Sequence, residues 1–570
     1  MKWRILSLVG AVVAAGVLAT GRLAPGETWS LKLKRLESPG HPGVFVGASD
    51  YLLRATYPQH FFVPIAQPSG KSARIVFPEN SEQTAAFKRI VKKEPKYACD
   101  HPFRGVAKLG GREYAFALDY VPPKEEAEKA KAEAQREKAK THETKKKAKA
   151  TKGGSALGAL SSKLAQATAS LEQASAAPKA TPYNRLYFDF NHNGDLTDDK
   201  VIEAEPARKL NMMVVGQSYV QFQFPRIDVT LDVEGTPVQY AFFLQGMAVA
   251  MRGYGYASVS INAAAYREGD ITLQGKKRHV VLLDFNSNGR FDDEIKISKN
   301  IHGPNGQLYP EQGDRLLIDS ETQNAFAGSP YDLTSGSGRL SVARLVSIDD
   351  KLYDMKVTPA GDKLTLTPST VPLGKVTNPH GKFQAVIYSD GGFLQIHGEK
   401  GSAVPVPEGQ WKLLNYTLDM TGTTEPSKPE AKKPAAKKKA AGGKSLIGAL
   451  AATAEKLLAG SVAPGARYRK SIVSAQATVG YKPVKVSKGQ TVELPFGPPY
   501  KPEVTAYPMG MQMVNQKQHI EQMRLQLSLI GSAGEICTNM TVYGVRPSKP
   551  KFTITDPKGE VVQQGNFEYG

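Results

Sequence analysis

The chain has 570 residues, a formal net charge of +20, 41% hydrophobic residues and only two cysteines. This length and hydrophobic content exclude a wholly disordered chain and predict several folded domains. Two cysteines that form no CxxC pair exclude a disulfide-rich scaffold and give no support to a thiolate zinc site or redox catalysis.

The first 24 residues have the pattern of a secretory signal peptide. Lys2 and Arg4 form a positive start, residues 5–18 are an apolar run that is short for a membrane span, and small residues follow. We therefore expect a secreted, periplasmic or cell-envelope protein without a transmembrane span; the alternative is an uncleaved anchor. In an oxidising compartment Cys99 and Cys537 could pair, or they could be two buried thiols.

The body of the chain is rich in short runs of β-branched and aromatic residues between turn signals, which predict strands. The fold class that they indicate is mainly β, with several β-sandwich or barrel-like domains in series. The runs are REYAFALDY, YVQFQFPRIDVTLDV, KRHVVLLDF, DRLLIDS, KLTLTP, FQAVIYS and KFTITD.

Two Lys/Ala-rich, low-complexity segments interrupt this pattern, at residues 122–182 and 422–467. Residues 124–152 carry eleven Lys/Arg against six Glu, and residues 425–444 carry seven Lys against two Glu, so the two stretches hold half of the net charge. We interpret them as insertions in loops of β domains. They contain short helical patterns, which begin within "GGSALGAL" and "GGKSLIGAL".

The strand runs and the two insertions together predict four units after the signal peptide of residues 1–24. Residues 25–210 form a β domain that contains the first insertion, and residues 211–375 form a second β domain. Residues 376–497 form a third, which contains the second insertion, and residues 498–570 form the last.

Two acidic loops carry the clearest chemical signal. Loop one lies in "LYFDFNHNGDLTDDK" and loop two in "VVLLDFNSNGRFDDE". Oxygen-bearing residues alternate, glycine stands at the sixth position, and acids follow, which suits a hard cation such as Ca²⁺. The predicted ligands, side chains and backbone carbonyls together, are Asp189, Asn191, Asn193, Asp195, Asp198 and Asp199 in loop one and Asp284, Asn286, Asn288, Arg290, Asp293 and Glu294 in loop two.

The loops resemble the calcium loops of the EF-hand, dockerin and thrombospondin type 3 families over about a dozen residues each. They depart from the EF-hand pattern at its twelfth position, where Lys200 and Ile295 replace the bidentate Glu. Their flanks read as strands, so the resemblance implies a structural Ca²⁺ loop and not the EF-hand fold. We expect an affinity on the order of 10⁻⁴ to 10⁻³ M, as in extracellular modules.

A metal-free interpretation is also open. Asn193-Gly194 and Asn288-Gly289 are strong hairpin signals that favour a type I′ turn. The stretch from Gly313 to Phe326 contains a strand that ends at Asp319, and we interpret it as a strand end rather than a site.

Residues 402–419 and 486–499 resemble prealbumin-like or carboxypeptidase-regulatory-like β sandwiches, through "SAVPVPEGQWKLLNYTLD" and "VSKGQTVELPFGPP". The last unit resembles an immunoglobulin-like strand set, and the chain as a whole resembles uncharacterised secreted bacterial proteins with DxNxNGxxxDD loops. Such modules imply adhesion or spacing and no activity.

The chain contains no HExxH, GxSxG, P-loop or dinucleotide fingerprint, which argues against an enzyme. We expect a calcium-binding structural, adhesive or scaffolding protein of the bacterial cell envelope. Its partner would be an anionic envelope polymer or another protein, without specific nucleic acid recognition. The alternatives are a hydrolase of a cell-wall or extracellular polymer and a polyanion binder that uses the Lys-rich segments.

Overall fold

The structure is a computed structural model. It describes residues 26–37, 56–65, 82–99, 102–123, 128, 183–206, 208–209, 217–251, 254–303, 305–319, 338–349, 351–421, 470–514, 518–542 and 544–568. Thirty-four strands and one helix form the regular structure of these ranges, so the predicted mainly β class is confirmed. The signal peptide, both short helical patterns and nearly all of the two Lys/Ala-rich insertions lie outside the described residues.

The sheet that carries loop one is antiparallel and has four strands in chain order. These are β4 (Phe103–Leu109), β5 (Arg112–Asp119), β6 (Arg185–Phe188) and β7 (Ile202–Glu203). Helix α1 (Glu82–Ile90) packs on β4 and β5 and buries Phe87.

The sheet that carries loop two has the order β18-β17-β14-β13-β2. Its strands are β2 (Lys32–Arg35), β13 (Ala265–Leu273), β14 (Lys276–Leu283), β17 (Arg315–Ile318) and β18 (Arg339–Ser341). Two further antiparallel sheets contain strands that are near these in the sequence. One joins β1 (Glu27–Ser30), β21 (Lys363–Pro368), β20 (Lys351–Val357) and β19 (Leu345–Ile348), and the other joins β15 (Lys296–His302) and β16 (Leu308–Glu311).

A six-stranded antiparallel sheet contains β11, which at 16 residues is the longest of the described strands. Its order is β3 (Gln59–Ile65), β12 (Tyr254–Ala263), β11 (Thr236–Met251), β9 (Gln217–Gln223) and β8 (Arg208–Lys209), and β10 (Ile227–Val233) also pairs with β11. Strand β10 shows why these residues form a half-buried strand. Ile227, Val229 and Leu231 are buried while Asp228 and Thr230 are exposed, the period-two pattern of a sheet with one face on the core.

The C-terminal third contains an eight-stranded sheet. Its path is β24 (Gly392–Gly398), β23 (Lys382–Ser389), β26 (Gly409–Asp419), β27 (Ile472–Gln476), β32 (Ile536–Thr541), β31 (Gln518–Ile530) and β30 (Lys501–Val514), with β28 (Val484–Val486) paired to β26. A three-stranded sheet joins β25 (Val404–Pro407), β22 (Leu373–Thr377) and β29 (Thr491–Glu493), and a terminal hairpin joins β33 (Lys551–Thr555) and β34 (Val561–Asn566).

Buried apolar side chains form two large clusters and one small one. The largest runs from Leu31 to Leu414, and the second gathers residues between Val376 and Phe496. The small cluster joins α1 to the loop-one sheet through Phe87, Tyr187 and Leu196. The domain boundaries given above stay predictions.

No disulfide joins Cys99 to Cys537; the Cys537 thiol lies 3.4 Å from the carbonyl oxygen of Asn539, and burial raises the pKa of Cys537 to about 11. In the part of the chain that the structure describes, no helix has the length and apolar character needed to cross a membrane.

Candidate metal centre

Loop one (Asp189–Lys200) connects β6 to β7, which are paired neighbours. Loop two (Asp284–Ile295) leaves β14 and leads to β15, which belongs to a different sheet. The two loops therefore have the same sequence pattern but different roles in the strand topology.

Loop one is organised around the carboxylate of its first residue. Asp189 Oδ1 accepts a hydrogen bond from the Asn193 N–H at 3.0 Å, and Oδ2 accepts one from the Gly194 N–H at 3.0 Å. The Asn193 side chain donates to Asp198 Oδ2 at 2.8 Å, and the Asn191 side-chain nitrogen lies 3.5 Å from the same oxygen. Asp189 thus holds the backbone of the loop, and the side chains of Asn191 and Asn193 meet at Asp198.

Loop two repeats these contacts position by position. Asp284 Oδ1 accepts from the Asn288 N–H at 3.1 Å, and Oδ2 accepts from the Gly289 N–H at 2.7 Å. The amides of Asn288 and Asn286 donate to Asp293 Oδ2 at 2.6 and 3.0 Å. Two stretches that belong to different sheets therefore fold into the same polar cage.

The backbone of the cages is not that of a type I′ hairpin. Positive φ angles occur at His192 (58°) and Gly194 (82°) in loop one, and at Ser287 (58°) and Gly289 (78°) in loop two. The asparagine that precedes each glycine does not have a positive φ. A type I′ turn requires positive φ at both residues of the Asn-Gly pair, so that expectation is wrong in both loops.

An apolar residue anchors each loop two positions after its glycine. Leu196 in loop one and Phe291 in loop two are fully buried. The spacing of the acids alone does not show this feature, but the large apolar residue between the glycine and the last acids of each loop is a signal that could have predicted it.

The seventh position of each loop directs its side chain away from the cage. Asp195 accepts hydrogen bonds from Thr197 and from the Lys93 ammonium, which lower the pKa of Asp195 to about 2. The Arg290 guanidinium donates to Asp292. Of the predicted ligands, these two residues could offer a cation their backbone carbonyls only.

The eleventh position differs between the loops. Asp199 Oδ2 is buried and accepts no hydrogen bond within the described part of the chain. Burial, with Asp198 and Asp189 nearby, raises the pKa of Asp199 to about 6. Glu294, the equivalent residue of loop two, is exposed to solvent.

The structure adds a carboxylate that the sequence did not indicate. Asp314, just before β17, is fully buried and accepts hydrogen bonds from the Phe285 N–H at 2.9 Å and the Asp293 N–H at 2.8 Å. It therefore clamps the two ends of loop two. Asp314 belongs to the stretch from Gly313 to Phe326, which we interpreted as a strand end rather than a site. That stretch therefore contributes to the candidate site through Asp314.

Carboxyl groups are concentrated in the protein interior around loop two. Asp284 and Asp314 are both fully buried, and Asp293 is close enough to raise the pKa of each. Burial is the main cause of the raised pKa of Asp284, to about 7, and it also raises that of Asp314. Tyr240 donates to Asp284 at 2.6 Å, whereas the Arg290 guanidinium of the same loop pairs with Glu234 and Asp292 instead.

Each loop also fastens a distant segment of the chain. The Gly194 carbonyl accepts from the backbone N–H groups of Lys92 and Lys93, directly after α1, at 2.8 and 3.2 Å. In loop two the Asn288 carbonyl accepts from the Gly110 N–H, in the β4–β5 turn, at 2.7 Å. A change in the rigidity of either loop would therefore also affect the segment to which it is hydrogen-bonded.

The donor chemistry fits a hard cation. Each cage offers two carboxylates and two side-chain amides, all with oxygen donors, and no nitrogen or sulfur ligand. Among the described residues, no three His, Cys, Asp or Glu side chains are grouped so that they could hold a metal ion. In this conformation the asparagine NH₂ groups face the second carboxylate, and the amide oxygens accept backbone N–H groups of the loop. An ion would therefore require these amides to turn their oxygens inward.

Comparison with known proteins gives no further guide: no family model, no curated protein and no solved structure matches the chain.

Proposed function

We propose that this protein is an exported, calcium-stabilised β protein of the bacterial cell envelope with a structural, adhesive or scaffolding role. The observation that supports the proposal is the repetition of one cage in two unrelated topological positions. The same four side chains and the same backbone contacts occur at Asp189–Asp198 and at Asp284–Asp293.

Electrostatics favour an ion in these cages. Burying a carboxylate is costly unless it is paired or coordinated, and at loop two Asp284 and Asp314 are both buried with Asp293 nearby. A divalent cation would offset this repulsion, and it would remove the unpaired state of Asp199 Oδ2 in loop one. Calcium suits the site because it accepts irregular sets of carboxylate, amide and carbonyl oxygens.

The ions would serve the architecture rather than a reaction. Loop one fastens the segment after α1, and loop two fastens the β4–β5 turn, so loaded loops would stiffen the contacts between sheets. Outside the cytoplasm the protein would meet calcium at millimolar concentrations, which are high enough to load weak extracellular sites of this class.

Thermal unfolding with and without calcium tests the proposal. The purified mature chain is melted in 10 mM CaCl₂, in 10 mM MgCl₂ and in EGTA. We expect calcium to raise the midpoint above both other conditions. Binding at tenfold above Kd stabilises the folded state by about 1.4 kcal/mol per site.

Asp198→Ala combined with Asp293→Ala is the informative variant. Among the described residues, these two carboxylates accept hydrogen bonds from asparagine side chains only, so their loss leaves the backbone hydrogen bonds of the loops in place. The calcium shift should disappear. Asp195→Ala is the matched control, since that side chain faces Thr197 and Lys93, and it should keep the shift. A shift that persists in the double variant would refute the proposal.

A further inference from the structure

A cleft of about 510 Å³ opens on one face of the six-stranded sheet. It lies over the middle of β11 and its neighbours β9, β12 and β3. Its size is within the range of small-ligand sites in proteins. It contains no part of either acidic loop.

Strand register places a row of polar side chains across the floor of the cleft. His60, Ser260, Gln245 and Gln223 lie directly opposite one another on four consecutive strands. Directly opposite residues point to the same face of a sheet, so their amide, hydroxyl and imidazole groups form one continuous polar surface.

The next row lies two residues further along each strand, on the same face of the sheet. Phe62, Ser258, Met247 and Gln221 are opposite one another on the same four strands. Phe62 is 54% exposed. An aromatic ring therefore stands at the side of the polar floor, where burial in the core does not explain it.

The aromatic side is a built feature and not a lone exposed ring. Phe62 packs against Tyr256 with ring centroids 5.3 Å apart and an interplanar angle of 34°. Tyr256 is two residues from Ser258, on the same face of β12. At the other end, the Gln223 side chain donates to the Glu205 carboxylate, which fixes the orientation of that amide.

The chemistry of the cleft excludes several ligand classes. No Lys or Arg is among its described lining residues, so it does not suit a polyanion. Among the described strands, β9, β11 and β12 under the cleft are paired on both sides, so their backbone groups are used in the ladder and do not bind a peptide by strand addition. Strand β3, at the end of the sheet, is paired on one side. Uncharged amides and hydroxyls dominate, which does not suit a purely apolar ligand.

We propose that this cleft binds a neutral oligosaccharide of hexose units. A pyranose ring presents hydroxyl groups around its edge and C–H groups on its face. Each glutamine amide supplies two donors and an acceptor, and each serine hydroxyl is both donor and acceptor, which matches vicinal hydroxyls. The Phe62–Tyr256 pair supplies an apolar surface for a C–H face. The protein would then be a carbohydrate-binding component as well as a scaffold.

Calorimetric titration tests this proposal with three neutral probes: cellohexaose, maltohexaose and chitohexaose. The full mature chain is used in 10 mM CaCl₂, and hexagalacturonate is the anionic comparison. We expect at least one neutral hexaose to bind with a dissociation constant in the millimolar range or below, and hexagalacturonate to bind more weakly. Preference for hexagalacturonate, or no heat with all three neutral probes, would overturn the proposal.

Two variants locate the site, and each removes a different part of it. Gln245→Ala deletes an amide at the centre of the floor, and Phe62→Ala deletes the exposed ring; each should weaken binding by about tenfold, which corresponds to about 1.4 kcal/mol. Gln239→Ala is the matched control: it lies on the same strand, is exposed and is about 20 Å away along β11. Binding unchanged in both cleft variants, with unchanged melting temperatures, would also overturn the proposal.

This inference does not depend on the calcium loops. If the loop variants abolish the calcium shift but the hexaoses do not bind, only the cleft proposal fails. If a hexaose binds to the double loop variant as it does to the parent chain, while calcium has no thermal effect, only the calcium proposal fails.

Discussion

Gly289 holds loop two against neighbouring strands in a conformation that other residues rarely adopt. Its φ is +78°, and a Cβ atom added there would lie 2.3 Å from the Leu231 side chain and 3.2 Å from the Gly110 nitrogen. The residue is therefore required twice, once for its backbone angle and once for the close approach of β10 and the β4–β5 turn.

We expect Gly289→Ala to destabilise the protein more than a glycine substitution with the same backbone angle in open space. Gly275 provides that control, because its φ is +76° and an added Cβ atom would have no neighbour within 4 Å. Both substitutions incur left-handed strain of about 1–2 kcal/mol. Gly289→Ala adds overpacking of about 1–3 kcal/mol. Urea unfolding measures the difference, and equal losses would contradict the packing described for loop two.

Asp119 is another buried carboxylate, but its environment is opposite to that of Asp284 and Asp314. Burial acts to raise its pKa, yet the N–H groups of Ala98, Cys99 and Tyr120 donate to it at 2.8–2.9 Å, and the net effect lowers the pKa of Asp119. The charged form is thus favoured by the fold, and it fastens residues 98–99 to the end of β5.

Asp119→Asn should reveal this as a pH-dependent loss. At neutral pH we expect the substitution to lower the free energy of unfolding by about 1–3 kcal/mol. The contribution of the carboxylate is complete above its unfolded pKa of about 3.9 and is lost as the pH falls through its lower folded pKa. The gap between parent and variant should therefore narrow in acid, as measured by urea unfolding from pH 7 to pH 3. Exposed Asp390→Asn is the control, and a gap that widens in acid would contradict the assignment.

The cage residues show how far the sequence leads at individual positions. The grouping of Asp189, Asn191, Asn193 and Asp198 was predictable because the cage is local: these side chains lie within ten residues. The contribution of Asp314 was not predictable. Asp314 immediately precedes β17, and it contacts loop two only because β17 pairs with β14. The φ angles were also missed, because the Asn-Gly preference for type I′ turns was overridden by the hydrogen bonds to Asp189 and its counterpart.

Loop one is attached to helix α1 mainly by its apolar anchor. Leu196 is fully buried in a small cluster with Phe87 and Tyr187, while the nearby Lys93–Asp195 ion pair at 3.0 Å is solvent-exposed on the lysine side. Burial of a leucine outweighs an exposed ion pair by several-fold in free energy.

We therefore expect Leu196→Ala to cost about 2–5 kcal/mol of unfolding free energy, because it empties the contact between α1 and the loop. Lys93→Ala should cost at most about 0.5 kcal/mol, because the backbone hydrogen bond from its N–H to the Gly194 carbonyl remains. Denaturant unfolding of both variants checks the order. A larger loss for Lys93→Ala would show that charge, and not packing, attaches the loop.

Strand positions were largely predictable, whereas strand partners were not. The alternating pattern of IDVTLDV predicts β10, and REYAFALDY predicts β5. No local pattern shows that β1 pairs with β21 or that β2 pairs with β13, more than two hundred residues away in the chain. Such pairing is decided by which faces can be buried together in the assembled core.

In the whole molecule, the apolar core and the two acidic loops contribute differently to stability. Buried apolar clusters extend through the sheets from Leu31 to Phe496, so the fold has ample hydrophobic driving force without an ion. The cages add local order where loops meet a helix, a turn and a buried carboxylate pair. In this account calcium is a stabiliser of contacts between elements and not a condition for folding.

Calorimetric titration of the purified protein with calcium tests the central claim most directly. The account predicts two weak sites in the parent chain, one in Asp198→Ala, one in Asp293→Ala and none in the double variant, with no comparable heat for magnesium. Two sites retained in the double variant, or no calcium heat in the parent chain at 10 mM, would contradict it. The cages would then be metal-free polar turns held by their own hydrogen bonds.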